Sequence, residues 1–163
     1  MRLQVSYGHD VTMSALKEKL ETDLTVAMKA RDELRTRTLR MALTAVKNEE
    51  VAGKQSRELS DDDVVRVLAR EAKKRREAAT AFGDAGRDEQ ARAERDEGAV
   101  LEEYLPAQLG EEELAALVAD AIAATGASGP RAMGQVMKVV NPKIAGRAEG
   151  GRVAAEVKRQ LTT

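Results

Sequence analysis

The sequence predicts an all-α fold: an N-terminal four-helix subdomain followed by a small three-helix C-terminal subdomain. Three observations carry this. Aromatic residues make up 2% of the 163-residue chain, too few for the β-sandwiches and barrels that draw on aromatic and β-branched side chains. The only prolines are Pro106, Pro130 and Pro142, so the first 105 residues contain no helix breaker of that kind. Apolar residues recur at helical spacing through most of the chain. A chain of this length buries roughly two-thirds of its unfolded surface, enough for a real core.

Ser14 is a predicted N-cap, followed by Leu16, Leu20, Leu24, Ala27 and Met28 on one face. Asp32 caps a second helix with a stripe of Leu39, Ala42, Leu43 and Val46, ended by Gly53. The third helix has the clearest start. Ser60-Asp61-Asp62-Asp63 reads as an N-cap with an acid at N3, and Leu59 and Val64 stand at hydrophobic-staple positions. Val64, Leu68, Ala72, Ala79 and Phe82 continue its apolar face until a break at Gly83-Asp84-Ala85-Gly86. The fourth helix spans Asp88 to Leu105, with Ala91, Gly98, Leu101 and Leu105 inward. Pro106 disfavours helix beyond Tyr104.

Beyond Pro106, Leu109 and Leu114 bracket a glycine N-cap, Gly110, with an acidic first turn. Leu114, Leu117, Val118, Ala121 and Ile122 form the stripe of that helix, and Gly126 stops it. Ser128-Gly129-Pro130 opens the next helix with proline at N1. Met133, Val136, Met137 and Val140 line it, and Asn141-Pro142 ends it. A Gly-rich connector, Gly146 to Gly151, leads to a last helix with Val153, Val157 and Leu161 inward. The expected organisation is a leader at 1–12, the four-helix part at 13–106 and the three-helix part at 107–163.

Several functions are disfavoured by composition. There is no Cys, which removes disulfides, thiol catalysis and cysteine zinc sites. The single His9 lies in the leader, so one chain cannot build a Ser-His-Asp triad or a multi-His metal site. We expect no catalytic residue, metal or cofactor. The leader has Arg2 but no apolar h-region, unlike a secretory signal; it reads as a disordered extension, or as codons upstream of a start at Met13. No apolar run approaches the roughly 20 residues of a membrane span, and the expected location is the cytoplasm. A net charge of −1 gives no bulk attraction to nucleic acid, so any such binding needs a local patch.

Two basic stretches are candidates. On the third helix, Arg70, Lys73 and Lys74 lie at i, i+3, i+4 within a run that continues to Arg75 and Arg76. The competing reading is a solvated face with i, i+4 pairs such as Glu71 with Arg75. In the C-terminal part, residues 107–129 carry four acids and no base, whereas 130–163 carry seven bases against Glu149 and Glu156, a local charge of +5. Lys138, Lys143, Arg147 and Arg152 could contact phosphates there. Gly146 and Gly150 would let a backbone approach closely. The alternative is a tight helix–helix turn with a polar surface. Gly134 interrupts a good helix at a cost of about 1 kcal/mol relative to Ala, to be offset by close helix packing or by close approach of a ligand backbone. Adjacent carboxylates, Glu102-Glu103 and Glu111 to Glu113, point in different directions and form no acid–base dyad.

Three stretches together resemble a known family. They are Thr38-Leu39-Arg40-Met41, Glu103-Tyr104-Leu105-Pro106-Ala107-Gln108-Leu109, and Met133-Gly134-Gln135-Val136-Met137-Lys138 with Pro142-Lys143 and Gly146-Arg147-Ala148 beyond it. Lys73-Lys74-Arg75-Arg76-Glu77 and Phe82 stand in order between them. This set resembles the YqeY family, stand-alone relatives of the C-terminal tail of GatB, a subunit of the glutamine-dependent aspartyl/glutamyl-tRNA amidotransferase. The resemblance spans Met13 to Leu161. Where the family often has a serine after the basic run, this chain has Ala78. The resemblance implies a helical two-subdomain fold and tRNA as a partner, with an amidotransferase or synthetase as a further one. It implies a non-catalytic accessory module, because the larger amide-transferring domain of GatB has no counterpart here. The alternatives are a helical protein–protein adaptor, or an accessory subunit contributing to glutamine-dependent amide transfer (carbon–nitrogen ligase activity) only alongside partner subunits.

Overall fold

The computed structural model describes residues 14–144 and 146–163; the leader and His9 lie outside the described residues. Among these there are seven α-helices, one 3-10 turn and no strand: α1 Ala15–Lys29, α2 Glu33–Glu50, α3 Asp61–Asp84, α4 Asp88–Glu102, α5 Glu111–Thr125, the 3-10 turn Pro130–Ala132, α6 Met133–Ile144 and α7 Gly150–Leu161. None of the helices is long and apolar enough to cross a membrane. The chain divides into two compact units, one ending at Tyr104 and the other beginning at Leu105.

In the first unit, local side chains set the helix starts. Ser14 accepts from the Lys17 amide as N-cap of α1 and donates to the Asp61 carboxylate. Its cap thereby ties the start of α1 to the start of α3. Asp32 caps α2 through the Arg35 amide. Ser60 and Asp63 form a reciprocal capping box at α3, satisfying two amides that would otherwise lack partners. Leu20, Leu39, Val46, Val64, Leu68 and Leu101 fill the interior, each contributing about 1.5–3 kcal/mol by leaving water.

Helix ends and edges depart from expectation where tertiary packing decides. Met28 is 48% exposed, because Leu20 and Ala27 supply the buried face of α1. The α2 helix ends at Glu50 with Val51 as its C-cap, ahead of Gly53; there the Glu50 carboxylate is buried against Lys17 at 2.9 Å. The α3 helix runs through Gly83 to Asp84, and the break falls at Ala85 and the left-handed Gly86. The α4 helix stops at Glu102, with Leu105 beyond its end.

Just past that stop, Tyr104 is anchored to α1 and α2. Its buried hydroxyl donates to Asp23 at 2.5 Å and accepts from Arg35 at 3.4 Å, while Arg35 pairs with Glu103 at 2.7 Å. The Tyr104 hydrogen bond, with help from Lys19 and Arg35, holds the Asp23 carboxyl below its ordinary 3.8. Burial, then Asp23, pushes the Tyr104 hydroxyl up to about 12. A depressed carboxyl adds stability that is complete above its unfolded value and is lost as pH falls through the folded one. Tyr104→Phe should therefore cost about 1–2 kcal/mol at neutral pH. The loss should shrink as pH falls below 3.8. Urea unfolding at pH 7 and pH 3 checks this; an equal loss at both would show that Asp23 is not the partner that matters.

In the second unit, Leu114, Val118, Val136, Val140, Val153 and Val157 form a small core with Leu109 and Ile144. The Leu109 amide donates to the Arg147 carbonyl at 2.7 Å, joining the entry to α5 and the α6–α7 connection. Gly126 ends α5 in the left-handed conformation. Asn141-Pro142 does not end α6: Pro142 sits inside its last turn and the helix continues to Ile144. Proline leaves the Lys138 carbonyl without its helical donor, but Lys138 and Pro142 are exposed, so water can serve it. Burial of Val140 and Ile144 on the opposite side favours the extra turn. Gly150 and Gly151 belong to the first turn of α7, which shortens the expected connector.

Candidate nucleic-acid interface

The structure sorts the basic residues by what they face. On α3, every member of the run has an acid within reach: Arg70 with Glu49 at 3.0 Å, Lys73 with Glu77 at 3.9 Å, Lys74 with Glu71 at 3.2 Å and Arg76 with Glu102 at 3.5 Å. Arg75 is the least exposed member, with Glu71, Glu94 and Glu97 around it. The pairing reading describes this helix, and Arg70, Lys73 and Lys74 do not form an uncompensated patch.

In the second unit the sequence-predicted residues fall into two groups. Gly146, Arg147 and Arg152 meet the entry to α5, and Gly150 opens α7. Gly146 takes a φ of 80° and its carbonyl accepts from Gln108. Arg147 lies 3.7 Å from Glu113. Arg152 donates to the Leu109 carbonyl at 3.0 Å. Arg152 and Arg159 also line a groove of about 530 Å³ whose other charged walls are Glu111, Glu112 and Glu156. Acids outnumber bases there, and Arg159 and then Gln160 hold the Glu156 carboxyl below its ordinary value. This side of the unit is poorly suited to a polyanion.

The other group lies on α6. Lys138 and Lys143 are exposed, with no acidic partner among the described residues. Lys138 sits about 160° around the helix from the centre of the Val136, Val140 and Ile144 stripe. Gly134, Gln135, Lys138 and Asn141 recur at helical spacing, and all are exposed. Arg131, in the 3-10 turn just before, is exposed as well. Nothing lies within 4 Å of where a Gly134 Cβ would stand. Close helix packing, the first explanation for this glycine, is therefore absent: it leaves an open stretch of backbone on a face with cations at either end. Sequence reasoning gave Gly134 and Lys138 separately and missed Arg131 as a member of the same face. The i, i+3, i+7 spacing from Arg131 to Gly134 to Lys138 was the available signal.

Compared with known families, the chain matches Yqey-like proteins over residues 17–161. No curated protein shows significant similarity to it.

Proposed function

The chain belongs to the YqeY family, and on that footing we propose that it is a non-catalytic, cytoplasmic tRNA-binding module that serves tRNA-dependent amidation or related tRNA handling. We read its two units as the four-helix and three-helix subdomains of the GatB-tail-like organisation, with the RNA on the second. The observation that carries this is the outer face of α6. Among the described residues Lys138 and Arg131 have no acidic partner, and Gly134 between them is open to solvent. Cations of this kind bind phosphates by releasing counterions, and a missing Cβ lets a sugar–phosphate backbone come close. Such a face reads the shape of folded RNA rather than its bases. A partner protein of the amidotransferase or synthetase class would supply the chemistry. Filter binding at low salt should show a clear preference for tRNA over a random RNA of equal length; equal retention of the two would overturn the proposal.

A further inference from the structure

The turn between α1 and α2 holds a second cationic feature, in the first unit and independent of the tRNA reading. Met28, Arg31, Glu33, Thr36, Arg37 and Arg40 line a cleft of about 470 Å³, within the size range of small-molecule sites. Glu33, Thr36, Arg37 and Arg40 share one face of α2 at i, i+3, i+4, i+7 spacing. Three guanidinium groups meet one carboxylate. Arg37 gives its Nε to Glu97 at 2.8 Å yet stays 53% exposed. Arg31 and Arg40 have no acidic partner among the described residues; Arg40 has only the Met28 sulfur, at 3.8 Å. Thr38 and Thr44 donate back to the carbonyls of Leu34 and Arg40. The Thr36 hydroxyl makes no such bond among the described residues.

Arg31 is the telling residue. It is the one non-glycine residue at positive φ, 56°, among the described residues. The Asp32 amide bonds the Ala27 carbonyl and the Arg31 amide bonds the Met28 carbonyl, the Schellman pattern in which glycine usually fills the left-handed position. Arginine there costs the fold conformational energy that glycine would not. A strained residue whose charged side chain lines a cleft without a partner points to a ligand.

We infer that this cleft binds the phosphate of a nucleotide. Guanidinium forks match phosphate oxygens two at a time, and Arg31 and Arg40 are free to do so. The Glu33 carboxylate and Thr36 hydroxyl suit the hydroxyls of a sugar. The thioether of Met28, 48% exposed, offers a soft apolar surface for a base. A free nucleotide and a nucleotide within an RNA chain present the same groups, and two titrations separate them.

The full-length chain would be titrated into fluorescent AMP and into a labelled six-nucleotide RNA, and fluorescence anisotropy read for the native protein, R31G and R40A. Each variant should weaken binding about tenfold or more, since each removes a charge-assisted contact. R31G should melt at or above the native temperature, because glycine relieves the left-handed strain. Binding would then fall while the fold holds or gains, which a structural role for Arg31 cannot produce. Loss in the AMP titration assigns a free nucleotide; loss only with the oligonucleotide assigns a nucleotide within RNA. If neither ligand binds the native chain, or if R31G and R40A bind as the native chain does, the inference is overturned. R131A/K138A should leave AMP binding unchanged, so failure of the tRNA reading and failure of this one are distinguishable.

Discussion

Arg75→Ala should be the most destabilising single substitution of a charged residue in the first unit, costing about 3–5 kcal/mol. The Arg75 side chain is 14% exposed and joins α3 to α4: its Nε is 3.1 Å from Glu97 and 3.7 Å from Glu94, and one terminal nitrogen is 3.8 Å from Glu71. The other contact of that nitrogen is the Met41 sulfur of α2. One guanidinium thus faces three carboxylates, all less than a quarter exposed. Its Nε and the facing Glu94 Oε2 are buried and lack hydrogen bonds of good geometry. Removing Arg75 leaves those acids without their shared cation, although Arg37 still reaches Glu97 and Lys74 still reaches Glu71. The loss is large against a total stability of about 5–15 kcal/mol. Lys74→Ala, one residue earlier in the chain, removes a pair whose lysine is 65% exposed, and should cost under about 1 kcal/mol. Urea denaturation of the two variants checks the contrast; equal, small losses would show that the half-buried cluster contributes nothing net.

Arg75 also shows how far the sequence can be read. The run from Lys73 to Arg76 was legible as charge, and helical geometry alone says that four successive residues surround the helix. Which of them faces inward depends on Glu94 and Glu97, on a helix that folds back from about twenty residues further on. Helix starts were legible for the opposite reason. Ser14, Asp32, Ser60 and Gly110 cap through chemistry confined to a few residues. Pro142 is the failure of local reasoning: its lost hydrogen bond is a local cost, outweighed by burial of Val140 and Ile144 against residues elsewhere in the unit. The C-terminal excess of base over acid was legible too, but not its division. Arg152 is turned to a carbonyl 43 residues away and Arg147 to Glu113, while Lys138 faces outward. The arginine cleft had a signal that composition hides, a non-glycine residue between a helix end and the Asp32 cap.

That division decides where RNA affinity should be lost. R131A/K138A/K143A removes three exposed cations that have no acidic partners among the described residues. Each phosphate contact contributes about 0.7–0.9 to the slope of log affinity against log salt, so loss of Arg131 and Lys138, the two cations on the Gly134 face, should flatten that slope by roughly 1.5 units, with Lys143, about 140° around the helix from Lys138, adding less. Referred to 1 M salt, the same number predicts a loss of about 30-fold in tRNA affinity at 0.1 M. The fold should hold, because exposed charges add little to stability. R147A/R152A is the comparison. Those arginines face Glu113 and the Leu109 carbonyl, so their removal should disturb the entry to α5 and lower the melting temperature more than it changes the salt slope. Gly134→Leu completes the test. With nothing within 4 Å of the new Cβ, the helix should gain up to about 1 kcal/mol in propensity, while the side chain stands between Arg131 and Lys138 and keeps a phosphate backbone away. A protein that melts higher and binds tRNA less well would place the RNA on this face of α6. An unchanged salt slope in the triple variant, with binding lost in R147A/R152A, would move it to the α5–α7 side.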